Sequence, residues 1–528
     1  MVSTLLRHLA CILFCLTTLL TFRSTSYAEP EKKAPRPNII LIMCDDMGWS
    51  DIGCYGGEVQ TPHLDQMARE GLRFTQFYNN AVCWTTRASL VTGLYPRYPR
   101  PHLNLNMVTL GEVLQQAGYQ TALSGKWHLG RTDSTHPVYR GFEDFYGLLD
   151  GCCNFFDPYY RDPKYKRGIT GDGYRFFAKN TTRITEFPDD FYTTDAFTDH
   201  AIQQIKTYSQ TDQPFFLHLC YTAPHYPLHA KPKDIAKYKG RYSAGWEALR
   251  NERHQRQLKM GLVDPQWKLP ARDPESADWE QDKYPRDWQE RRMEVYAAMI
   301  DCMDQNIGRL MATLKETGVD ENTIVMFLSD NGPDASEPGG ANPQQIPGPK
   351  EYYTTCGPSW AFPQNTPFRR FKTWMHEGGI STPFIVRWPG KIQPDTLAKQ
   401  PAHIIDVMPT CIDLAGTNYP ETFQSRKIIP LDGKSILPIL NGETRTPHES
   451  LFWELRNNQA IRQGKWKLVA DRTINRWELY DLELDRTETN NLAAQYPDRV
   501  ARMKAAWQSW SEKTGLANQK HQRGKQIP

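Results

Sequence analysis

The 528-residue sequence lacks a strong excess of either charge. Its 63 lysines and arginines face 60 aspartates and glutamates, which gives a formal net charge of +3. Proteins that bind nucleic acids usually carry a marked basic excess, so the charge balance argues against a nucleic-acid partner. The rest of the composition, 39% hydrophobic and 23% charged, is globular and excludes disorder, collagen and coiled coil as the main architecture.

Long apolar runs are absent after residue 28. Residues 1–28 contain Arg7, an apolar run from about Leu9 to Phe22 and a small-residue cleavage site at Ser26-Tyr27-Ala28. This is the pattern of a secretory signal peptide, and the run is shorter than the ~20 residues of a membrane-spanning helix. An uncleaved anchor fits the flanks and length less well. We therefore expect the mature chain to begin near Glu29, to have no membrane span and to be secreted or periplasmic.

Cysteine is sparse in the mature chain. Of eleven cysteines, Cys11 and Cys15 lie in the predicted signal peptide, so nine remain. An odd number leaves at least one thiol outside a disulfide. The adjacent Cys152 and Cys153 have no matching Cys or His pair at metal-ligand spacing, so we expect a disulfide or buried thiols there rather than a metal site.

Short apolar runs alternate with helical patterns through the first 430 residues. Four runs are too short for helices and read as strands buried on both faces: residues 38–44, 214–220, 322–328 and 383–388. A helix is predicted to begin at Thr109, where Glu112 completes a capping box. The alternation predicts an α/β domain with a large, mostly parallel sheet sandwiched by helices.

The sequence changes character near residue 430. Short strand-like runs separated by turn residues, and then apolar residues at helical spacing over 497–514, predict a smaller antiparallel sheet with a covering helix. We predict a catalytic α/β domain over residues 29–430 and a C-terminal antiparallel-sheet subdomain over residues 431–528. Residues 238–288 are polar and carry four tryptophans, and we interpret them as a surface insertion. The insertion either faces the substrate or packs its tryptophans on the main domain.

Polar side chains follow three of the predicted strands. Asp45 and Asp46 follow the first, His225 comes shortly after the second, and Asp330 and Asn331 follow the third. In open α/β sheets this edge binds ligands. Three converging carboxylates repel one another unless a cation neutralises them, and an all-oxygen ligand set suits Ca²⁺ or Mg²⁺. For either pair alone, the alternative is that these residues only start turns and cap helices.

Between these strand ends, Cys83 is followed four residues later by Arg87 and then by Thr92-Gly93 and Tyr95-Pro96. The chain continues with further short motifs, namely Gly125–Gly130 (GKWHLG), Thr222–His225 (TAPH), Asp330–Gly332 (DNG), and Lys372 ahead of Glu377–Gly379 (EGG). In order and spacing these motifs resemble the signature of the formylglycine-dependent sulfatases, an arylsulfatase family of the alkaline phosphatase superfamily. The resemblance covers most of the mature chain. One residue departs from it, because Thr85 stands where the family motif usually has Pro or Ala.

The resemblance implies that the cell's formylglycine-generating machinery oxidises Cys83 to formylglycine (3-oxoalanine) during export. The hydrated aldehyde then ligates one divalent metal together with the strand-end residues Asp45, Asp46, Asp330 and Asn331. The amide ligand and the number of oxygens favour Ca²⁺ over Mg²⁺.

The resemblance also implies how a sulfate ester is cleaved. A hydroxyl of residue 83 attacks sulfur while Asp330 accepts its proton, and His225 with Lys372 protonates the departing alcohol. This assignment is chemically coherent, because the ester needs cationic groups around its oxygens and an acid beside the leaving oxygen.

The remaining implied roles concern residue 83 itself. His128 takes the proton of the second hydroxyl so that sulfate is expelled and the aldehyde is restored. Lys126 bridges the sulfate and residue 83, and Arg87 holds residue 83 in place. Lys126, His225 and Lys372 thus also bind the substrate.

The sequence therefore predicts a hydrolase of sulfate monoesters. We favour a sulfated carbohydrate over an aryl sulfate, because the tryptophans of the insertion suit sugar rings. One alternative is a phosphatase or phosphodiesterase of the same superfamily, which would use a hydroxyl nucleophile and two metals; Cys83, Lys126 and Lys372 argue against it. The other is a catalytically silent protein that binds sulfated glycans, which follows if Thr85 prevents oxidation of Cys83.

Overall fold

The computed structural model describes residues 36–96, 103–163, 165, 172–337, 340–455, 458–471 and 476–516. The predicted signal peptide, residues 1–28, lies outside the described residues. Within these ranges, no helix combines the length and the apolar character that crossing a lipid bilayer requires.

The main sheet has eleven strands. They are β1 (Asn38–Cys44), β2 (Leu72–Tyr78), β3 (Gln120–Gly125), β4 (Asp144–Leu148), β5 (Phe177–Lys179), β6 (Thr182–Ile184), β7 (Phe215–Cys220), β8 (Thr323–Ser329), β9 (Ser381–Arg387), β10 (Thr396–Ala398) and β11 (Ala402–His403). Their order is β10-β2-β9-β8-β1-β7-β3-β4-β5-β6, and β11 also pairs with β2. The central strands β8, β1, β7, β3 and β4 are parallel, whereas β9 is antiparallel to both of its neighbours. The predicted mostly parallel sheet is confirmed.

Twelve helices are assigned in the described ranges. They are α1 (Pro62–Arg69), α2 (Cys83–Thr92), α3 (Leu110–Gln116), α4 (Thr193–Tyr208), α5 (Pro232–Ala236), α6 (Gly245–Lys259), α7 (Arg286–Glu316), α8 (Gly357–Gln364), α9 (Glu377–Ile380), α10 (Val407–Ala415), α11 (Leu437–Leu440) and α12 (Pro497–Lys513). The predicted capping box is present at α3, where Thr109 and Glu112 satisfy each other's backbone amides.

Alternate residues of β1 belong to two different cores, which explains why its sequence is continuously apolar. Ile40 and Ile42 pack in the core that contains α1, α4 and α7, while Ile39 and Leu41 pack in the core that contains α2, α3 and α10. A strand between two helical layers has no solvent face to leave polar.

The C-terminal region forms a second sheet of four antiparallel strands: β14 (Leu451–Leu455), β15 (Asn458–Gln463), β16 (Trp466–Asp471) and β17 (Arg476–Asp481). A short hairpin, β12 (Thr422–Phe423) with β13 (Arg426–Lys427), precedes it. One face of the four-stranded sheet packs with α12, and residues of the other face, which include Trp453 and Val469, belong to the apolar cluster that also contains Cys83. The predicted sheet and covering helix are present; the boundary near residue 430 stays a prediction.

The segment over residues 238–288 differs from the irregular surface insertion that we expected. It contains the 15-residue helix α6, and Trp246, Trp279 and Trp288 are buried. Trp246 and Trp279 pack edge-on against Trp360. Three of the four tryptophans therefore serve packing and give no support to a sugar-binding role; the fourth, Trp267, is half-buried.

Candidate active site

The carboxyl ends of β1 and β8 bring four oxygen-bearing side chains together. The backbone N–H of Asp46 donates to Asp330 Oδ1 at 3.2 Å, and the Asn331 amide donates to Asp46 Oδ1 at 2.6 Å. Asp45, Asp46, Asp330 and Asn331 are all at least 98% buried. Because β1 and β8 are parallel neighbours in register, residues almost 300 positions apart meet here as the sequence predicted.

Cys83 is the first residue of α2 and lies beside this carboxylate cluster. Val82 before it is extended, so the helix begins at residue 83 and the free amides of its first turn lie at this end. Burial raises the pKa of the Cys83 thiol to about 11, although Lys126 and Lys372 partly oppose this. An unmodified Cys83 is consequently a neutral thiol at ordinary pH and a weak nucleophile.

Arg87 lies one helical turn after Cys83 and is 2% exposed. Its guanidinium donates to Asp330 Oδ2 at 2.9 Å and to the carbonyl of Lys126 at 2.9 Å. Arg87 therefore connects α2, the end of β8 and the segment after β3 in one arrangement.

Thr85, the departure from the family motif, is buried and uses its hydroxyl locally. Its Oγ1 lies 2.9 Å from the carbonyl of Val82 and 3.1 Å from that of Asn80. The threonine thus ties α2 to the loop that leads into Cys83, and its side chain is compatible with the helical start at residue 83.

Three cationic side chains balance the three carboxylates of the cluster. Besides Arg87, the Lys126 ammonium forms an ion pair with Asp45, and the Lys372 ammonium lies 2.6 Å from Asp46 Oδ1. Charge repulsion among the carboxylates alone therefore does not demand a metal, which corrects one step of the sequence argument.

Unpartnered oxygens provide a better reason to expect a cation. Asp45 Oδ1 and Asn331 Oδ1 are sealed from solvent and accept no hydrogen bond from the described residues. Asp45, Asp46 and His225 offer ligand atoms within 4.8 Å of one another. Burial raises the pKa of Asp46 to about 8 and that of Asp330 to about 6. Hard oxygen donors of this kind fit Ca²⁺ or Mg²⁺.

We expect chelation followed by dialysis to abolish turnover and to lower the melting temperature. Carboxylates that are partly protonated without the cation should lose protons when it binds. Adding Ca²⁺ to the stripped protein at pH 7 should therefore release protons, measurable with an indicator dye in weak buffer. A cation at 100 times its dissociation constant should stabilise the fold by about 2.7 kcal/mol. Stripped protein with full activity would contradict the assignment.

His128 reaches the site from a backbone turn. Its φ is 60°, in the left-handed region. Burial, reinforced by Lys126, lowers the pKa of His128 well below its ordinary value, so the ring is a neutral base. A Cβ placed on Gly151 would lie 2.7 Å from His128 Nε2, so the absence of a side chain at Gly151 gives the ring its place.

We expect Gly151→Ala to reduce kcat by about 10- to 100-fold, because a small displacement of a catalytic group costs that much. The Michaelis constant for a sulfate ester should change much less. In a His128→Ala background, Gly151→Ala should have no further effect on kcat, whereas two independent effects would add. Steady-state kinetics on the four proteins of this cycle tests the prediction.

His225 and Lys372 both approach Asp46. His225 Nδ1 lies 2.8 Å from the carbonyl of Tyr226, which fixes that nitrogen as the donor and leaves Nε2 free to face Asp46 Oδ2 at 3.3 Å. Burial lowers the pKa of Lys372, but Asp46 and Asp334 outweigh burial and hold it well above its ordinary value. Lys372 is therefore a permanent cation beside residue 83.

Sequence reasoning missed Asp334 and Gly151. Asp334 is half-buried, and Lys372 and the hydroxyl of Ser336 outweigh burial to hold its pKa below the ordinary value. Its position four residues after Asp330 was the available signal.

His376 is fully buried against Glu478, 3.0 Å away, and so lies outside the site. Cys152 and Cys153 are free thiols, like the other seven cysteines of the described chain.

The segment 369–377, which we call the lysine loop, carries Lys372 and is held by the C-terminal sheet. Arg369 donates to the Tyr480 hydroxyl at 3.0 Å, and His376 contacts Glu478. At its end, Glu377 is paired with Lys467 at 2.9 Å and with Arg486 at 2.9 Å. The second sheet therefore helps to position an active-site cation.

The site combines a buried cysteine at the start of a helix, three cationic side chains and a set of oxygen ligands for a cation. This combination suits the hydrolysis of an anionic ester. The sulfatase family model matches residues 37–417, and the model described as N-sulphoglucosamine sulphohydrolase, C-terminal, matches residues 368–512. The chain belongs to the sulfatase family and is a sulfuric ester hydrolase.

Known proteins resemble the chain over most of its length. An uncharacterised sulfatase of Schizosaccharomyces pombe is 32% identical and covers 92% of this chain and 95% of its own. The arylsulfatase of Klebsiella aerogenes is 32% identical over 79% of this chain and 94% of its own. The crystal structure of Ps i-CgsB in complex with k-i-k-neocarrahexaose has a TM-score of 0.66 at 25% identity and covers 90% of this chain and 93% of its own.

Proposed function

We propose that the protein is exported and hydrolyses sulfate monoesters of a sulfated carbohydrate, with formylglycine formed from Cys83 and one divalent cation, Ca²⁺ in preference to Mg²⁺. The observation that carries the proposal is the position of Cys83 at the start of α2, among Arg87, Lys126 and Lys372. The carbohydrate substrate is supported by relatives: an N-acetylgalactosamine-6-sulfatase from dog is 28% identical over 87% of this chain, and Ps i-CgsB binds a neocarrahexaose.

Formylglycine would supply a hydrated aldehyde as the nucleophile, and the cation held by Asp45, Asp46, Asp330 and Asn331 would lower the pKa of its hydroxyl. Arg87 fixes the position of residue 83 by anchoring α2 to Asp330. Asp330, whose pKa burial raises to about 6, accepts a proton near neutral pH. His128, neutral because of burial and Lys126, is the second base.

The cations orient and stabilise the sulfate. Lys126 and Lys372, whose ammonium groups are held by Asp45 and Asp46, would contact the anionic oxygens of the ester and stabilise the charge that develops on the leaving oxygen. His225, with Lys372, protonates the departing alcohol. This help matters most for a sugar alcohol, which is a poor leaving group.

The same cations argue against a phosphatase with two metals. A second metal would need acidic or His ligands, yet Lys126 and Lys372 already pair with Asp45 and Asp46. Two transition-metal ions per chain in metal analysis would overturn the sulfatase assignment.

The experiment that tests the proposal is mass spectrometry of the tryptic peptide that contains residue 83, after export from a host with the oxidising machinery. Conversion of the thiol CH₂SH to an aldehyde lowers the mass by about 18 Da. The shift, together with release of sulfate from an ester, is the expected result. A sulfatase with an unmodified motif, expressed in the same cells, serves as the control.

The second candidate function is a silent binder of sulfated glycans, which Thr85 motivates. It predicts an unmodified thiol at residue 83 in a host that converts the control sulfatase. It also predicts that sulfated sugar binds and no sulfate is released.

A further inference from the structure

A buried group of charges between the two sheets contains one cation more than it has anions. Glu377 pairs with Lys467 and Arg486, and Lys467 also lies 2.9 Å from Glu488. Arg462, 6% exposed, joins this group through the Tyr78 hydroxyl and not through a carboxylate. Three cations thus face two carboxylates, and buried charges are normally paired.

Arg462 has donor capacity left over. Its Nε donates to the carbonyl of Gly464 at 2.8 Å and its Nη1 to Tyr78 at 2.5 Å, while Nη2 makes no hydrogen bond with the described residues. Arg462 is also part of the wall of a cavity of about 720 Å³. An arginine with unused N–H donors at the edge of a cavity can bind an anion.

The cavity lies where β2, the segment 261–267 and the C-terminal sheet meet, and no residue of the candidate active site lines it. Lys399 contributes an exposed ammonium that has no partner among the described side chains, and Lys465 is a further cation of the wall. Trp267, half-buried, presents a ring beside Leu262 and Val263. Two acidic residues, Asp264 and Glu483, also line it. The volume is in the range of pockets for small ligands.

We propose that this cavity is a second binding site for a sulfated saccharide, in which Arg462 and Lys399 receive a sulfate group and Trp267 contacts a sugar ring. The proposal rests on the proposed function, because a sulfated polymer offers sulfate groups beyond the one that is hydrolysed. Binding a distant unit of the same chain raises the effective concentration of the reacting unit. The site should therefore affect the Michaelis constant for long substrates and leave small esters unaffected.

The test compares Lys399→Glu with Lys391→Glu, which reverses the charge of another exposed lysine that does not line the cavity. For a κ-carrageenan hexasaccharide, Lys399→Glu should raise the Michaelis constant about fivefold or more, the loss expected for one charge-assisted contact. The value of kcat/KM for 4-nitrophenyl sulfate should stay the same. Lys391→Glu should change neither. Equal effects of the two variants, or an equal loss on both substrates, would overturn the proposal.

Binding to the unreactive Cys83→Ala protein separates this proposal from the proposed function. Calorimetric titration with the hexasaccharide, in the presence of saturating 4-nitrophenyl sulfate, should still show binding that Lys399→Glu weakens and Lys391→Glu does not. This result would support the cavity even if no sulfate ester were hydrolysed. Complete competition by the small ester would place all binding in the active site and refute a second site. Binding of inorganic sulfate with no added affinity for the hexasaccharide would reduce the site to a simple anion site and contradict the saccharide assignment.

Discussion

Cys83→Ala should reduce kcat for a sulfate ester by about 10⁵-fold or more, as removal of a covalent nucleophile does in other hydrolases. Residue 83 is the only side chain at the start of α2 that the proposed oxidation can convert into a nucleophile. The cationic side chains of Arg87, Lys126 and Lys372 lie near it. Without it, these cations can still bind the ester but have no attacking group to assist. Turnover of 4-nitrophenyl sulfate at saturation measures the loss.

Cys411→Ala is the matched control. Cys411 is also a buried free thiol, but it lies in α10, away from the candidate site. Its replacement should cost about 1–2 kcal/mol of stability through a small cavity and leave kcat unchanged. Substantial activity in Cys83→Ala, or an equal loss in Cys411→Ala, would contradict the assignment of the nucleophile.

The second large effect concerns stability. Glu377→Gln should lower the free energy of unfolding by about 3–5 kcal/mol, because it removes one partner of a buried ion-pair group and leaves Lys467 and Arg486 short of negative charge. Both cations are at least 99% buried, so water cannot replace the carboxylate. Urea denaturation followed by tryptophan fluorescence measures the change.

Glu252→Gln is a suitable comparison, because Glu252 forms an ion pair of 2.8 Å with Arg241 at the exposed surface. Such a pair contributes less than about 1 kcal/mol, so this variant should unfold almost as the parent does. Equal destabilisation by the two substitutions would show that the buried ion pairs of Glu377 contribute no more to stability than an exposed pair.

The buried glutamate also predicts a pH dependence. Burial raises the pKa of Glu377, but Lys467 and Arg486 outweigh burial and hold it at about 2, below the ordinary 4.5. A depressed pKa stabilises the fold above the unfolded value and loses this contribution as the pH falls. Glu377 should therefore contribute fully above about pH 5 and progressively less between pH 4.5 and 2. In Glu377→Gln this part of the acid sensitivity should disappear.

The strands and the candidate ligands could be predicted because they depend on local patterns. A continuous apolar run identifies a strand buried on both faces, and a polar residue at its end lies at a known edge of the sheet. β1, β7 and β8 and the residues Asp45 and Asp330 follow from these two rules. The second sheet was predictable for the same reason, since its strands alternate and its turns are marked.

Contacts between distant segments could not be predicted in this way. Nothing near Gly151 in the sequence shows that it touches His128, and Lys467 looks like an ordinary strand residue until Glu377 is placed beside it. Helix α6 was missed because its polar residues hide the spacing of its few apolar ones. Pairings of this kind depend on how the chain folds back on itself, which a single sequence does not record.

The packing of the C-terminal sheet against residue 83 sets an order of events for the cell. Cys83 is 5% exposed, and it belongs to the same apolar group as Trp453 and Val469. An enzyme that carries out the proposed oxidation would have to reach this thiol before the last hundred residues are in place. The C-terminal sheet also holds the lysine loop, so the docking of this sheet both buries Cys83 and positions Lys372. The proposed oxidation would therefore precede the docking of the C-terminal sheet, and hydrolysis would follow it.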